Sequence, residues 1–332
     1  MKIEHLLLVD QQPLRLAARW HRAEYGFWCA PLVAYFLFPE NLVLLSQILI
    51  TALFALSLDL ILGYAGIVSL GHAAFFGVGA YAAGLMAVHG HGDPVMGLLA
   101  AALAAAVLGV AAGLLLLRGS ANLTRLLVTL GVGLMLYEAA NKMSWLTGGA
   151  DGLQGMAMTP LLGLFEFDIF GRTAYLYSLA VLFLGFCLLR RLVHSPFGLS
   201  LRGIHQNPHR MPALGVSVKA RLLAAYVVAA AIAGVAGALL AQTTQFVTID
   251  VLSFQRSAEL MLIVILGGAG RLYGALLGSV VYMAAHHLLS GIDPQFWQFW
   301  LGALLLAVVL FGRGGIMGAL QRFTPSVQGA RP

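Results

Sequence analysis

Residues 62–81 read LGYAGIVSLGHAAFFGVGAY, an apolar stretch in which glycine recurs every few positions and two polar side chains stand among apolar ones. Glycine loosens helical geometry, and a broken helix at membrane depth is tolerated where it lines a cavity or is buried in protein. We therefore predict an interrupted membrane helix in this stretch. The residues that carry the prediction are Gly63, Gly66, Ser69, Gly71 and His72.

The composition of the whole chain agrees with a membrane location. Of 332 residues, 60% are apolar and 10% charged, and the mean hydropathy is +0.89. Soluble domains are about 45–50% apolar and about 25% charged, so a soluble globule is excluded. At about 20 residues per span, the apolar content is enough for roughly eight to ten membrane-spanning helices.

Apolar runs bounded by glycine, proline or charge predict an all-α fold, a polytopic helical bundle with about ten spans. The first predicted span is only about a dozen residues long, and the eighth is short enough to be a re-entrant or broken helix. If neither crosses, eight spans remain. The predicted spans are 27–38, 42–62, 69–88, 95–117, 124–145, 174–192, 222–242, 257–270, 272–290 and 296–312.

The distribution of charge predicts the orientation of the chain. Residues 190–221 carry six Arg and Lys residues and no Asp or Glu, whereas residues 146–174 carry three acidic residues and one arginine. Cytoplasmic loops are enriched in Lys and Arg, so we expect the first region inside, the second outside and both termini in the cytosol. The predicted parts are a cytosolic segment 1–26, a membrane domain 27–316 with a cytosolic loop 193–221 and an external loop 146–174, and a cytosolic tail 317–332.

Motifs for catalysis and for cofactors are missing from the sequence. The three lysines follow Met1, Asn141 and Val218, so no phosphate-binding loop with Gly before Lys exists. The sequence also lacks H-E-x-x-H, C-x-x-C and G-x-S-x-G patterns. We expect a non-catalytic chain that holds no metal and no cofactor of its own.

Few ionisable side chains fall within the predicted spans. Glu138 and Lys142 stand at i, i+4, and Arg256 and Glu259 at i, i+3, spacings that favour neutralising pairs on one helix face. Asp59 has no such partner, so we expect it to face protein or water. A proton-coupled secondary carrier should have more converging ionisable groups, and this small number argues against one.

Four motifs, in this order, closely resemble the permease subunits of branched-chain amino acid ABC importers. They are residues 62–81, LTGGADGLQG at 146–155, SPFGLSLRG at 195–203 and LGGAGRLYGALLGS at 266–279. The resemblance covers about residues 42–316 and is to the family that usually supplies the second of two permeases. It implies a bacterial inner-membrane importer with a second permease subunit, two cytosolic ABC ATPase subunits that bind the ATP, and an extracytoplasmic solute-binding protein.

The resemblance also implies that the cytosolic loop contains a short coupling helix that contacts the ATPase. Pro196 should end the preceding helix, and Ser195 can cap the next one. The sequence departs from the family at His205-Gln206-Asn207-Pro208, and a passive basic loop near anionic lipid remains an alternative. The candidate coupling residues are Ser195, Pro196, Phe197, Gly198, Arg202, Asn207 and Gly215.

Two further sets of residues are implied by the family. One set lies near the translocation pathway, although each glycine could simply serve helix packing and His72 could be a buried histidine with its bonds satisfied. The other lies in the external loop, where a loaded binding protein would dock, unless the loop is only a tight turn. The pathway residues are Gly63, Gly66, Ser69, Gly71, His72, Thr129, Gly267, Gly268 and Gly270. The external residues are Thr147, Gly148, Gly149, Asp151 and Gly152.

The substrate and the class of transporter have alternatives. The same family serves importers of leucine, isoleucine and valine and also of urea, short amides and other amino acids. A self-contained secondary transporter is the alternative from another class, and a polytopic membrane enzyme would need His72 or His286 beside a carboxylate. Pairing with an identical or a different permease is also open.

Overall fold

The computed structural model describes residues 22–119, 122–161, 163–168, 170–311 and 314–318. Within these residues the chain is helical, and β-structure is confined to two isolated bridges, Leu153–Val247 and Leu161–Phe165. The predicted all-α fold is thus confirmed. The predictions for residues 1–21 and 319–332 lie outside the described residues.

The apolar runs form the helices, with short turns of other geometry between some of them. The α-helices are α1 (Arg22–Leu37), α2 (Leu42–Asp59), α3 (Ala73–Val88), α4 (Pro94–Leu116), α5 (Asn122–Lys142), α6 (Ser144–Thr147), α7 (Arg172–Val193), α8 (Pro196–Gln206), α9 (Val218–Thr244), α10 (Phe254–Gly267), α11 (Leu272–Ile292) and α12 (Trp297–Phe311). A π-helical turn spans Leu60–Tyr64, and 3-10 turns span Pro39–Asn41, Gly149–Asp151, Pro212–Leu214 and Ile249–Leu252.

Every predicted span coincides with a helix, and six described segments are long and apolar enough to cross a membrane. These segments contain α2, α4, α5, α7, α9 and α11. The helices at the other four predicted spans are shorter: α10 has 14 residues, α12 has 15, and α1 and α3 have 16 each. The chain is therefore a multi-pass membrane protein, and the number of crossings stays a prediction.

The centre of the bundle is built from α2 and α9, with α3 packed against α9. Small residues allow these helices to touch through their backbones. A Cβ added to Gly79 would lie 2.1 Å from the carbonyl oxygen of Gly234, and one added to Gly237 would lie 1.8 Å from that of Phe76. Inside a bilayer the hydrophobic effect does not drive helices together, so van der Waals packing between closely approaching backbones stabilises their association.

The outside of the bundle presents apolar side chains. On α4, Leu99, Leu103 and Val107 are 62%, 68% and 63% exposed and follow one another at intervals of four residues. This spacing places them on one face of the helix. A face of this kind would aggregate in water but is suited to contact with lipid chains.

The interrupted helix predicted around residues 62–81 is confirmed. After the π turn the chain leaves helical geometry at residues 65–72 and resumes it in α3. A second break separates α10 from α11, where Gly268 and Gly270 have φ angles of 107° and 79°. Only glycine adopts such angles without strain, so both breaks depend on glycine.

Two local predictions need correction. Ser195 does not cap α8, because its hydroxyl donates to the carbonyl oxygen of Leu192 at 2.6 Å and so serves the last turn of α7. Glu138 and Lys142 are both exposed and form no ion pair, since nothing forces two solvated side chains together. The predicted pair Arg256–Glu259 does form, at 3.7 Å.

Candidate functional site

Helix α8 lies at the predicted cytosolic end and folds back tightly on α7. Pro196 occupies the first turn, where its missing N–H is harmless. A Cβ on Gly198 would lie 2.2 Å from the carbonyl oxygen of Val193, so any larger residue would push the two helices apart. Phe197 packs under the guanidinium of Arg221, at 5.4 Å from the ring centroid, which fixes α8 to the start of α9.

The end of α8 and the loop after it are shaped by polar side chains. The Asn207 side chain accepts hydrogen bonds from the N–H groups of His209 and Arg210, both at 3.2 Å. Gly215 has a φ of 77° and faces open space, so it permits the turn without packing against anything. Asn207 and Gly215 therefore stabilise the loop that follows α8.

Helix α8 contacts the first helix break directly. Nδ1 of His205 lies 3.1 Å from the carbonyl oxygen of Gly63, and the guanidinium of Arg202 lies over the ring of Tyr64 at 5.2 Å. Gly66 has a φ of 72°, and a Cβ there would come within 2.8 Å of the His205 ring. His205, recognised in the sequence only as a departure from the family, thus joins α8 to the break together with Arg202.

The first break in turn contacts the second. Oδ1 of Asp59 accepts a hydrogen bond from the backbone N–H of Gly270 at 2.6 Å, and Asp59 is fully buried. A Cβ on Gly63 would lie 2.1 Å from the same nitrogen. Asp59 therefore faces protein, the first of the two surroundings expected for it, and it anchors the loop between α10 and α11.

Glycines also pack the second break internally. A Cβ on Gly267 would lie 1.9 Å from the carbonyl oxygen of Gly274, and one on Gly268 would lie 2.5 Å from that of Gly314. The loop is thereby held between α11 and the short segment 314–318. The predicted residues of both breaks are thus neighbours in space.

The remaining pathway candidates form a buried joint between helices. Thr129 accepts a hydrogen bond from the N–H of Leu70 at 3.2 Å, and a Cβ on Gly71 would lie 1.8 Å from the Thr129 carbonyl oxygen. Nε2 of His72 lies 2.9 Å from the hydroxyl of Ser57. His72 is fully buried, and its Nδ1 atom has no hydrogen-bond partner among the described residues. Ser69 is also buried in this joint.

The external loop obtains its shape from glycines. Gly148, Gly149 and Gly152 have φ angles of 78°, 58° and 75°, and a Cβ on Gly148 would lie 2.0 Å from the Gly152 carbonyl oxygen. The hydroxyl of Thr147 donates to the Met143 carbonyl oxygen at 3.0 Å and holds the start of the turn. Asp151 lies exposed at the tip, so its carboxylate is accessible from the predicted external side.

Two cavities of about 270 Å³ each lie between α2, α9 and the helices around them. Gln47 lines both, so they meet at its side chain. None of the predicted pathway residues lines either cavity. The first is lined by Gln47, Ile50, Thr51, Leu240, Arg256, Glu259, Tyr282, Met283 and His286. The second is lined by Val43, Ser46, Gln47, Phe167, Asp168, Gly171, Ala174, Thr243, Thr244 and Gln245.

The first of these cavities contains an ion pair, and we name it the paired-charge cavity. Arg256 and Glu259 line it with side chains that are 34% and 24% exposed, together with polar and apolar residues of α2 and Leu240 of α9. The pair offers a cation and an anion within one small space. In the sequence it looked like a boundary pair, although Gln47 and Thr51, four residues apart on an apolar helix, marked the opposite wall.

A metal site is not evident among the described residues, where no three His, Cys, Asp or Glu side chains come together. The described cavities therefore present hydrogen-bonding and charged groups of the chain alone. Such groups can bind and release a small solute.

Comparisons with known proteins identify the family of the chain. The family described as the permease component of the branched-chain amino acid transport system matches residues 42–309. The LivM permease protein of the high-affinity branched-chain amino acid transport system of Escherichia coli K12 is 27% identical over 81% of this chain and 68% of its own. No solved structure matches the chain.

Two further relatives carry the same designation. The LivM permease protein of Salmonella typhimurium LT2 is 26% identical over 82% of this chain and 68% of its own length. The probable branched-chain amino acid transport permease protein LivM of Methanocaldococcus jannaschii is 25% identical over 82% of this chain and 92% of its own length.

Proposed function

This chain belongs to the family of permease components of branched-chain amino acid transport systems, and from that premise we propose that it is the membrane subunit of an ATP-driven importer. In this proposal it lies in the bacterial inner membrane and catalyses no covalent reaction. A second permease subunit completes the pathway, two cytosolic ABC ATPase subunits bind ATP, and an extracytoplasmic protein delivers the solute.

One observation carries the proposal: a continuous line of contacts runs from α8 to both helix breaks. His205 contacts Gly63, and Gly63 packs against Gly270. A movement imposed on α8 by an ATPase would therefore reach both breaks through backbone contacts. Breaks of this kind are hinge-like elements on which helices reorient, so the arrangement supports alternating access driven from the cytosol.

The proposed substrate is a branched-chain amino acid. The paired-charge cavity supports a zwitterion, because Arg256 can pair with a carboxylate and Glu259 with an ammonium group. Ile50, Leu240 and Met283 line the same cavity and suit an aliphatic side chain. Urea and short amides, the alternative substrates, carry no charges that would need such a pair.

A self-contained secondary transporter is the competing proposal from another class. It would need coupling ions and groups that bind them. Arg256 and Glu259 of the paired-charge cavity pair with each other, and the external loop and α8 would have no assigned role in such a transporter. Dependence on ATP separates the two proposals.

The experiment is uptake of radiolabelled leucine into proteoliposomes that hold this chain with its permease and ATPase partners and the binding protein. We expect uptake that requires both ATP and the binding protein. Gly198→Trp should abolish it, since the side chain cannot fit against Val193. The matched control is Gly291→Trp, at a position where an added Cβ meets nothing within 4 Å.

Other results would revise the proposal in defined ways. ATP-driven uptake of urea or an amide in place of leucine would keep the mechanism and overturn the substrate. Uptake driven by an ion gradient, with this chain alone in the vesicle, would contradict the importer. Leucine binding by the soluble binding protein is measured in parallel, so that a loss of uptake is assigned to the membrane subunit.

A further inference from the structure

A third cavity, of about 190 Å³, opens at the same end of the molecule as α8. We call it the basic cavity. It lies where the ends of α1, α7 and α8 meet the start of α11. Its walls are Glu24, Tyr64, Phe186, Arg190, His194, Arg202, Arg271, Leu272, Tyr273 and Met317.

The charges of the basic cavity do not balance. Three arginines face one carboxylate, so with neutral histidine the described lining carries three positive charges less one negative, a net charge of +2. Glu24 pairs with Arg190, which is only 8% exposed, and this pair closes one wall. Arg202 and Arg271 keep their positive charges on the opposite side.

Arg271 has hydrogen-bonding capacity that the described protein does not use. Its Nη1 atom is buried and has no hydrogen-bond partner among the described residues. A buried guanidinium nitrogen without a partner is costly, and an anion with several oxygen acceptors relieves that cost. The aromatic and apolar residues Tyr64, Phe186 and Met317 form the rest of the wall.

The depth of the basic cavity matches lipid headgroups. On α1, Leu32, Val33 and Phe36 are 49%, 52% and 79% exposed, as expected for contact with lipid chains. Glu24 lies eight residues before Leu32, which at 1.5 Å per residue is roughly 12 Å along the helix. Glu24 therefore lies at the predicted cytosolic end of α1, beyond Leu32, Val33 and Phe36, and the cavity lies where lipid headgroups would border this apolar surface.

We propose that the basic cavity binds the phosphate group of an anionic phospholipid from the cytosolic leaflet. Basic pockets between membrane helices on this side are suited to anionic headgroups. The phosphate would accept hydrogen bonds from Arg271 and Arg202, and the lipid chains would lie along α1. Since Arg202 also stacks on Tyr64, the bound lipid would brace the contact between α8 and the first break.

The test measures lipid binding to the intact importer complex by native mass spectrometry, with phosphatidylglycerol compared against phosphatidylcholine. The wild type should retain phosphatidylglycerol in preference. Arg271→Gln should lower its affinity about fivefold, the effect of one arginine near an anionic surface. Arg271→Lys should stay close to wild type, because it keeps the charge.

The control variant is Arg191→Gln, next along α7 to Arg190 but exposed and outside the cavity, and it should not change lipid binding. Equal retention of the two lipids by the wild type would overturn the proposal, whatever the variants do. Titration with inorganic phosphate alone distinguishes a lipid phosphate from free phosphate as the ligand. If inorganic phosphate binds with the same affinity as the lipid, the cavity is a site for free phosphate. Because lipid binding is measured without transport, its result can fail or succeed independently of the proposed transport function.

Discussion

The carboxylate of Asp59 accepts a hydrogen bond from the backbone N–H of Gly270 at 2.6 Å, across 211 positions of sequence. This bond joins the end of α2 to the loop between α10 and α11. Both partners lie at helix breaks, where the backbone is not satisfied by its own helix. The bond therefore holds the two breaks together as one unit. Helix α8 contacts this unit through His205.

We expect Asp59→Ala to weaken this unit. The variant leaves the N–H of Gly270 without its acceptor, which costs about 1–3 kcal/mol in a buried site. The melting temperature of the complex and ATP-driven leucine uptake should both fall. Asp59→Asn keeps a carbonyl oxygen at the same place and should retain more of both properties. Equal loss in the two variants would show that the charge, and not the acceptor, is what matters.

Gly63→Ala tests the close contact between the breaks. The new methyl group would lie 2.1 Å from the nitrogen of Gly270, so backbone must move, and we expect a loss of about 1–3 kcal/mol in stability. Thermal unfolding of the purified complex measures this loss. Gly131→Ala is the control, because an added Cβ there meets nothing within 4 Å and the helix gains propensity. A lower melting temperature in both variants would mean that the contact at Gly63 is not the cause.

His205→Ala should separate ATP hydrolysis from transport. The variant removes the contact between α8 and Gly63 but leaves the buried residues of α8 in place. We expect ATP hydrolysis to persist while leucine uptake falls about fivefold or more, a typical size for coupling between sites. His209, which is exposed and lies four residues after His205 in the loop beyond α8, provides the control His209→Ala. Unchanged uptake in His205→Ala would place the coupling contact elsewhere.

Charge-neutral variants of the paired-charge cavity test its role in recognition. A lost charged hydrogen bond is worth about 1.5–3 kcal/mol, so Arg256→Gln and Glu259→Gln should each raise the KM for leucine about tenfold to a hundredfold. Glu138→Gln is the control, since Glu138 is exposed, forms no ion pair among the described residues and does not line the cavity. If KM stays constant while stability falls, the pair is structural and substrate passes by another route.

Much of the helical architecture could be predicted because a membrane helix forms its backbone hydrogen bonds within one continuous segment of sequence. Each backbone group is satisfied within its own segment, so the apolar runs alone indicate where helices lie. The break at residues 65–72 was predictable for the same reason, since glycine acts on its own backbone. The number of crossings was harder to predict, as the shorter helices α3 and α10 show. The length of such a helix does not tell whether it crosses the membrane fully or only enters it.

The candidate sites were predictable only in part. His72 was expected either to lie near the pathway or to be a buried histidine. Its ring is bonded to Ser57 and stacked on Phe54, and no sequence spacing reveals such a partner. Arg256 and Glu259 were predicted to form a neutralising pair on one helix face, and they do so, but the sequence did not reveal that they line a cavity. Whether a polar residue faces lipid, protein or a cavity depends on which helices surround it.

The helices, their glycine breaks and the family of the chain can all be recognised in the sequence, because each depends on residues close together along the chain. The contacts of Asp59 with Gly270 and of His205 with Gly63, and the cavity lined by three arginines from separate elements, arise only when the helices pack. These contacts depend on how small residues let helices approach. That approach is a property of facing surfaces, and no single segment contains it.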